Sequence, residues 1–274
     1  MRTFGLERFS FAGPAGRLTG WTRGTGRNES LTPALFIHPI NLAGACWAEV
    51  VSRLEPQRLC ILLDLRGHGG SEAGGPYGID SWAEDCFAVL DHFKIARTHV
   101  VGGSLGGPLA VVLAARAPDR IASIAAFGSA LKIEGEGLDE VIGILREKGV
   151  RETFRLLIPE LSVAPGTAPE VIERILTLTN PNDVATVTAI WTAAISTDVR
   201  KSAEEVRCPA LVICGEHDKT CTPTQAADMA RALSTDLILM PGIGHIPMLE
   251  ASEMTATLIA QHLAHHDDLP KTRQ

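Results

Sequence analysis

The residue with the most reactive setting in this sequence is Ser104. An apolar run that predicts a β-strand leads into Gly102-Gly103-Ser104-Leu105-Gly106, and an alanine-rich run that predicts a helix follows. Such a tight strand-to-helix turn presents a serine hydroxyl as a nucleophile, and the flanking glycines avoid a collision in the strained backbone. An ordinary serine at a helix N-terminus would show a similar pattern. Only the nucleophile also requires an acid and then a histidine, each after a later strand.

An acid follows a later apolar run. Residues 210–214 predict a short buried strand, and Gly215-Glu216-His217-Asp218 comes directly after it. Loops at the carboxyl ends of parallel strands hold the ligands and the chemistry of such sheets. Asp218 and Glu216 are both candidates, and either could instead be an ordinary solvated carboxylate. We favour Asp218, because its shorter side chain, one turn beyond the strand, would hold an imidazole more firmly.

A histidine follows the next apolar run. Residues 236–240 predict a strand, and the glycine-rich loop after it ends at His245. The histidines at 262, 265 and 266 are instead expected to be solvated residues at a helix end. His245 could be an ordinary hydrogen-bonded loop residue. The chain order favours a catalytic triad of Ser104, Asp218 and His245, in which the histidine is a base and the acid orients it.

Charge and hydropathy exclude several classes of partner. The 274 residues carry 25 Lys and Arg against 32 Asp and Glu, a formal net charge of −7, and no basic run occurs. This argues against nucleic acid or an anionic membrane surface as the principal partner. The N-terminal segment lacks the apolar core of a signal peptide, and no apolar run approaches membrane-spanning length. A cytoplasmic location is therefore expected.

The spacing of the cysteines predicts neither disulfides nor a structural metal, because no CxxC pair and no zinc-like grouping occurs. Cys221 is close to Asp218 in sequence, but a role as a rival nucleophile is not favoured. We expect no metal and no organic cofactor. The cysteines are Cys46, Cys60, Cys86, Cys208, Cys214 and Cys221.

Short apolar runs that predict buried strands alternate with longer runs of helical spacing along most of the chain. Residues 7–11 and 17–23 flank a glycine and proline turn and predict an opening hairpin. This alternation predicts an α/β fold with a mostly parallel sheet and helices on both faces. The predicted buried strands are residues 34–37, 58–63, 99–103, 121–127, 210–214 and 236–240.

The alternation of strands and helices stops after Phe127 and resumes at Ala210. The residues between them predict helices interrupted by prolines, and a separate helical domain is one interpretation. Because four short helices offer too few residues for a good core of their own, we favour a helical cap over the active edge of the sheet. The predicted division is core 1–128, cap 129–203 and core 204–274. The predicted cap helices are residues 138–148, 151–157, 169–178 and 183–195.

Four segments make the chain resemble the α/β-hydrolase superfamily from about residue 17 to residue 264. Three of them, at 102–107, 215–223 and 242–245, carry the serine, acid and histidine already described. The fourth, Asp-Leu-Arg-Gly-His-Gly-Gly-Ser at 64–71, directly follows a predicted strand. The resemblance implies the α/β-hydrolase fold with an inserted helical cap. In length and in residues 209–218 the chain is most similar to 3-oxoadipate enol-lactonases and related small esterases.

The resemblance also implies an oxyanion hole, the pair of N–H donors that stabilises a tetrahedral intermediate. Residues 36–41 resemble the family's loop that begins His-Gly, which implies the backbone N–H of Ile40 as one donor. Leu105, directly after the serine, implies the second donor. Pro39 stands where glycine is usual. Proline lacks an N–H but leaves that of Ile40 in place, so we expect the oxyanion hole to be kept. Because the proline ring fixes φ, we also expect a stiffer loop. The same resemblance places His68 in a bracing turn, without a role as a base.

Together these residues lead to the hypothesis of a serine-triad hydrolase that cleaves a carboxylic ester or lactone through an acyl-enzyme. A small-molecule substrate is expected, with Asn41 and Trp191 as candidate contacts. Trp191 could instead only pack the cap against the core. Two alternatives remain: a carbon–carbon bond hydrolase of the meta-cleavage-product type, which shares the triad, and a non-catalytic ligand receptor on the same fold. The oligomeric state is left open.

Overall fold

The computed structural model describes residues 4–26, 28, 30–133 and 137–267, which form a single eight-stranded β-sheet. Its strands are β1 (Glu7–Gly13), β2 (Gly16–Arg23), β3 (Ala34–Ile37), β4 (Cys60–Asp64), β5 (Thr98–Gly103), β6 (Ile121–Phe127), β7 (Ala210–Gly215) and β8 (Leu237–Met240). They lie in the order β1-β2-β4-β3-β5-β6-β7-β8. Pairing is antiparallel from β1 through β2 to β4 and parallel in the rest of the sheet. The predicted opening hairpin and mostly parallel sheet are therefore confirmed.

Helices connect the strands, together with a 3-10 turn at Gly44–Trp47 and a π-helical turn at Ile158–Ser162. In the described part of the chain, no helix combines the length and the apolar character needed to cross a membrane. The helices are α1 (Ala48–Ser52), α2 (Ile79–His92), α3 (Gly106–Arg116), α4 (Leu138–Lys148), α5 (Val150–Leu157), α6 (Pro169–Thr177), α7 (Val184–Ile195), α8 (Arg200–Glu205), α9 (Pro223–Ala232), α10 (Pro247–Glu250) and α11 (Ser252–His265).

The side chains of the central strands alternate between two apolar clusters. In β3, Leu35 and Ile37 pack with residues of α2 and α3, whereas Phe36 packs with residues of α1 and α11. This alternation is what a strand buried on both sides requires, since successive side chains point to opposite faces. Helices thus cover both faces of the sheet, as predicted.

The parallel strands bring the predicted site segments to one edge of the sheet. Ile37 at the end of β3 pairs with Gly102 near the end of β5, and Gly215 at the end of β7 pairs with Met240 at the end of β8. Because these strands run in the same direction, the loops that follow them meet at their shared carboxyl edge. These loops carry the predicted oxyanion donors, serine, acid and histidine.

Two glycines allow α3 to cross the end of the sheet at close range. A Cβ on Gly102 would lie 2.0 Å from the carbonyl oxygen of Gly106, and a Cβ on Gly106 would lie 2.6 Å from the carbonyl oxygen of Ile37. No side chain fits at either position. The glycines on both sides of Ser104 therefore have a steric cause in the packing of β5, β3 and α3.

Residues 129–203, hereafter the helical insert, connect β6 to β7, and residues 134–136 lie outside the described part. The four helices predicted there are confirmed, with each end within one residue of its predicted position. The π-helical turn and α8 were not predicted. Leu145, Ile175 and Val187 of the insert belong to the same buried cluster as Val101 of the sheet. The insert therefore shares an apolar core with the rest of the chain.

Two asparagines of the helical insert bind the core. Asn180 donates its backbone N–H to the carbonyl oxygen of Asn41 at 2.6 Å and its side-chain amide to the carbonyl oxygen of Gly67 at 2.7 Å. The side-chain amide of Asn182 donates to the same Gly67 oxygen at 2.8 Å. Because Asn180 is buried, these bonds are shielded from water, and they tie the insert to the loop that contains Asn41.

The C-terminal histidines differ in part from expectation. His265 is exposed, as predicted. His262 is largely buried, because it lies three residues beyond the buried Ile259 on α11. Burial, followed by the nearby His266 and His99, lowers the pKa of His262 to about 3. The prediction of a solvated residue is wrong for His262.

Gly102→Ala is expected to lower the free energy of unfolding by about 3 kcal/mol, because its Cβ would overlap the first turn of α3. Chemical denaturation monitored by circular dichroism measures this effect. Gly143→Ala is the control, since a Cβ at this exposed position of α4 meets no atom within 4 Å, and it is expected to stabilise by about 0.5 kcal/mol. Equal stability of the two variants would contradict the steric argument.

Candidate active site

The backbone of Ser104 is held in the left-handed region, with a φ of +51°. This conformation costs a non-glycine residue on the order of 1–3 kcal/mol and persists only where the surroundings enforce it. Here the Ser104 N–H donates to the carbonyl oxygen of Phe127 at 2.8 Å. The Ser104 carbonyl oxygen accepts from Gly107 N–H and from the Ser129 hydroxyl, each at 2.9 Å. The N-cap of α3 is Leu105, which supplies no side-chain cap, so Ser104 is not the ordinary N-cap of that helix.

Asp218 and His245 form a buried pair. Nδ1 of His245 lies 2.9 and 3.0 Å from the two carboxylate oxygens of Asp218, and both residues are almost fully buried. Asp218 Oδ1 also accepts the backbone N–H groups of Thr220 and Cys221, each at 2.9 Å. These two bonds fix the carboxylate in the loop after β7. The pair can therefore hold the imidazole in one orientation, with Nδ1 protonated and Nε2 left as the acceptor.

The alternative acid, Glu216, lies elsewhere. Its side chain is 57% exposed, and its carboxylate accepts the backbone N–H of Gly242 at 3.0 Å. Glu216 thus links the acid loop to the start of the histidine loop at the surface. The structure pairs His245 with Asp218, the residue favoured from the sequence.

The pKa of His245 is raised above its ordinary value. Burial alone lowers the pKa, because it disfavours the imidazolium. The negative charge of Asp218, its hydrogen bond to the ring and the charge of Glu250 together outweigh burial. This His245 is therefore a stronger base than a free histidine.

Six of the seven predicted site residues line one cavity of about 350 Å³. Asp218 is the seventh and contacts the cavity only through His245. The cavity lies between the carboxyl edge of the sheet and the helical insert. The six lining residues are Ile40, Asn41, Ser104, Leu105, Trp191 and His245.

His38 fixes the loop after β3, a role that the sequence analysis missed. Its Nε2 accepts the backbone N–H of Leu65 at 3.1 Å, which leaves the proton on Nδ1 to donate to the carbonyl oxygen of Pro39 at 2.8 Å. The ring is fully buried, and burial lowers its pKa. His38 therefore stays neutral and holds Pro39 and Ile40 against the turn after β4.

Asn41 combines two unusual features. Its backbone has a φ of +65°, which residues other than glycine adopt rarely. Its side-chain Oδ1 is buried and accepts no hydrogen bond within the described residues. A buried acceptor without a partner costs about 1–3 kcal/mol, so a ligand donor that reached it would gain that amount back.

His68 is buried beside His38, with the two ring centres 4.8 Å apart. Burial, and then the neighbouring His38, lowers the pKa of His68 to about 3. Its Nδ1 hydrogen-bonds to the carbonyl oxygen of Arg66 at 3.1 Å. A general base works best with a pKa near the working pH, so a ring with so low a pKa, enclosed within this turn, is a weak base and serves as a brace instead.

The helical insert supplies most of the apolar wall of the cavity. Phe154 and Ile158 both line it and are buried in the apolar core, so each packs the insert and shapes the cavity. The ring centres of Phe154 and Trp191 lie 6.0 Å apart. The indole Nε1 of Trp191 is buried and donates to no partner within the described residues. Trp191 therefore contributes to the apolar wall of the cavity.

Cys221 also lines the cavity. Burial, followed by the charge of Asp218 and by Cys214, raises the pKa of the Cys221 thiol well above its ordinary value. Because the thiolate is the reactive form of cysteine, this thiol is a poor competitor to Ser104. No group of three or more potential metal ligands is assembled in the part of the chain that the structure describes.

Gly128, at the end of β6, is a second site residue that the sequence analysis missed. A Cβ there would lie 2.9 Å from the Asp218 carboxylate and 3.2 Å from Nδ1 of His245, and its φ is +51°. A larger residue would separate the acid from the histidine. The signal was a glycine directly after a predicted strand, at the edge where the site was expected.

Comparisons with known proteins agree on one family. A family model described as alpha/beta hydrolase fold matches residues 32–252. The chain is 27% identical over 260 residues to the dihydrolipoyllysine-residue acetyltransferase component of the acetoin cleaving system of Pseudomonas putida, covering 92% of this chain and 68% of that protein. It is 28% identical over 196 residues to 3-oxoadipate enol-lactonase 2 of Acinetobacter baylyi, covering 69% of this chain and 73% of that protein.

A solved structure shows the same similarity in three dimensions. The enol-lactonase from Burkholderia xenovorans superposes with a TM-score of 0.86 and is 27% identical in sequence. The match covers 93% of this chain and 100% of that chain. The similarity therefore extends over most of this chain and is not confined to one part of it.

Asp218→Asn is expected to lower the pKa of His245, because it removes the charge that opposes the effect of burial. Two-dimensional NMR of the imidazole protons across a pH titration measures this pKa without any substrate. Glu216→Gln is the matched control and should leave the His245 titration in place, since Glu216 lies at the surface on Gly242. The opposite ranking of the two variants would reassign the acid.

Proposed function

Because the chain belongs to the alpha/beta hydrolase fold family, we propose that it is a serine hydrolase that cleaves a carboxylic ester or lactone of a small molecule. The observation that carries this proposal is the buried His245–Asp218 pair, which shares one cavity with the strained Ser104. A base held by an acid, in the same cavity as a serine hydroxyl, is the arrangement that activates serine.

In the first step, Nε2 of His245 takes the proton of the Ser104 hydroxyl as its oxygen attacks the carbonyl carbon. Asp218 keeps the imidazole in the tautomer that accepts at Nε2 and stabilises the imidazolium that forms. Collapse of the tetrahedral intermediate breaks the ester carbon–oxygen bond. His245 returns its proton to the leaving alkoxide, and the acyl group stays on Ser104.

The developing oxyanion is stabilised by the backbone N–H groups of Ile40 and Leu105, each contributing about 3 kcal/mol. Leu105 lies directly before α3, so the N-terminal end of that helix dipole also favours negative charge there. His38 holds the Ile40 loop in place. The stiffness expected from Pro39 adds to this preorganisation.

In the second step, His245 removes a proton from water, which attacks the acyl-enzyme carbonyl. The same two N–H donors stabilise the second tetrahedral intermediate. Its collapse releases the carboxylic acid and returns the proton to Ser104. In a lactone the acyl group and the leaving oxygen belong to the same ring. Hydrolysis therefore opens the ring to one product, a hydroxy acid or, from an enol-lactone, an oxo acid. Every step uses groups of this chain and water.

The substrate class follows from the cavity and from the relatives. A volume of about 350 Å³ with largely apolar walls fits a small acyl or lactone group. Asn41 and Trp191 supply the polar contacts, an acceptor and a donor that lack partners. The enol-lactonases among the relatives favour a lactone. The helical insert acts as the cap that closes this cavity.

Ser104→Ala is expected to lower turnover of p-nitrophenyl acetate by roughly 10⁶-fold, because the triad acts as one unit, while the melting temperature stays nearly unchanged. Steady-state kinetics and differential scanning calorimetry measure the two quantities. Activity close to that of the wild type would remove Ser104 as the nucleophile. A folded wild type that turns over neither esters, lactones nor meta-cleavage products would support the receptor alternative, and turnover of meta-cleavage products alone would support the carbon–carbon hydrolase.

The value of kcat/KM should rise with pH through the pKa of His245, because only the neutral imidazole can act as the base. Since this pKa is raised above 6.5, the midpoint of the rise is expected above pH 6.5. A pH profile of kcat/KM with a chemically stable ester tests this. A rate that is constant between about pH 5 and 9 would contradict the role of His245.

A further inference from the structure

Glu250 joins the histidine loop to the helical insert through one carboxylate. Its Oε2 accepts the backbone N–H of Ala164 in the insert at 2.9 Å and that of Gly244 at 3.0 Å. Its Oε1 accepts the backbone N–H of Ile246 at 3.0 Å. A carboxylate that accepts three N–H groups makes charge-assisted hydrogen bonds, which are stronger than neutral ones.

Two of these donors flank His245. Gly244 and Ile246 are its neighbours in sequence, and the backbone N–H of His245 itself donates to the carbonyl oxygen of Ser162 at 3.0 Å. Three successive N–H groups of the histidine loop are therefore bound, two by Glu250 and one by the insert. The backbone that carries the imidazole is fixed on both sides.

The same stretch of the insert also contacts the acid loop. The carbonyl oxygen of Glu160 accepts from the Lys219 ammonium at 3.0 Å, and that of Leu161 accepts from the Thr220 hydroxyl at 3.2 Å. Thr220 in turn donates its N–H to Asp218. Residues 160–164 thus touch both the acid loop and the histidine loop. This stretch includes the end of the π-helical turn, a distortion that often occurs at functional sites.

The close approach of these segments leaves little space. A Cβ on Gly244 would lie 2.6 Å from the backbone nitrogen of Ala164. The two backbones are in contact, with no space for a side chain between them. Displacement of residues 160–164 would therefore remove the Ala164 N–H from Glu250 and the Ser162 carbonyl oxygen from the N–H of His245. The position of the insert and that of the histidine are mechanically linked.

We propose that Glu250 is a positioning residue, which holds the backbone of His245 in its working orientation and links it to the docked helical insert. This inference rests on the proposed function, in which His245 is the base. It makes the docking of the insert a condition for a fully formed triad. Substrate binding between the insert and the sheet would then favour the arrangement in which the base is correctly placed.

The charges around His245 agree with this role. Asp218 faces the ring from the loop after β7, with the neutral thiols of Cys214 and Cys221 around its carboxylate, and Glu250 acts from the end of α10. Among these groups, Asp218 and Glu250 are the ones that raise the pKa of His245. Loss of the Glu250 charge should therefore lower that pKa, whereas the fall in kcat reports on the position of the imidazole.

The test compares Glu250→Gln and Glu250→Asp with Glu253→Gln, an exposed carboxylate on α11. Glu250→Gln keeps the size of the side chain but removes its charge. The NH2 group of the amide replaces one carboxylate oxygen, so at least one backbone N–H loses its acceptor. We expect kcat to fall by about 10²-fold with KM little changed, because misplacing a catalytic group by about 1 Å has that effect. The NMR titration should show a lowered pKa of His245. Glu253→Gln should match the wild type in both.

Glu250→Asp separates charge from reach. It keeps the carboxylate but shortens the side chain by one methylene, so it cannot hold all three N–H groups. A lowered kcat with a His245 pKa close to that of the wild type is expected. Wild-type kcat in both Glu250 variants, or an unmoved His245 pKa in folded Glu250→Gln, would overturn the proposal.

The NMR titration uses no substrate, so it distinguishes two kinds of failure. If Ser104→Ala keeps its activity while Glu250→Gln lowers the His245 pKa, the proposed function is wrong and the contact between the Glu250 charge and His245 stands. If Ser104→Ala is inactive while both Glu250 variants match the wild type, the proposed function stands and the linkage is wrong. Should Glu250→Gln not fold, Glu250→Asp alone decides through its kcat.

Discussion

The buried hydrogen bond between Asp218 and His245 is the interaction on which the site depends. Both groups are out of water, so the carboxylate must be satisfied by the imidazole and by two backbone N–H groups. A buried carboxylate that lost these partners would be costly, because its charge would remain uncompensated. The loops after β7 and β8 are therefore held together by the same bond that orients the His245 imidazole. Gly128 keeps the space open between them.

Steric limits at the carboxyl edge explain why so many glycines lie there. α3 passes so close to β5 and β3 that only hydrogen fits at Gly102 and Gly106. Gly244 meets the insert under the same restriction. Close backbone approach and strain at Ser104 are stable because neighbouring hydrogen bonds enforce them. At these glycines the spacing between segments is thus set by backbone atoms.

Local sequence patterns were enough to predict the sheet, helices on both of its faces and the insert helices, and to indicate Ser104, Asp218 and His245 as candidate site residues. Ser104, Asp218 and His245 each follow an apolar strand, and strands of one direction must deliver them to one edge. His38, Asn180 and Glu250 could not be predicted in this way, because their partners lie far away in sequence or belong to the backbone. The burial of His262 was not predicted for a related reason, since only the packing of α11 against the rest of the chain shows that its side chain is covered. The spacing of apolar residues predicts which segments are strands or helices. The hydrogen-bond partners of buried polar side chains depend on contacts between segments that are distant in sequence.

We propose that Ser104 carries the acyl group during the reaction. Rapid acid quenching of the protein with a slowly hydrolysed ester, followed by peptide mass spectrometry, detects such a group. We expect one acyl group, attached to Ser104, which forms within the first turnover and disappears when substrate is exhausted. Turnover without any acylated Ser104, or acylation of Cys221 in its place, would contradict it.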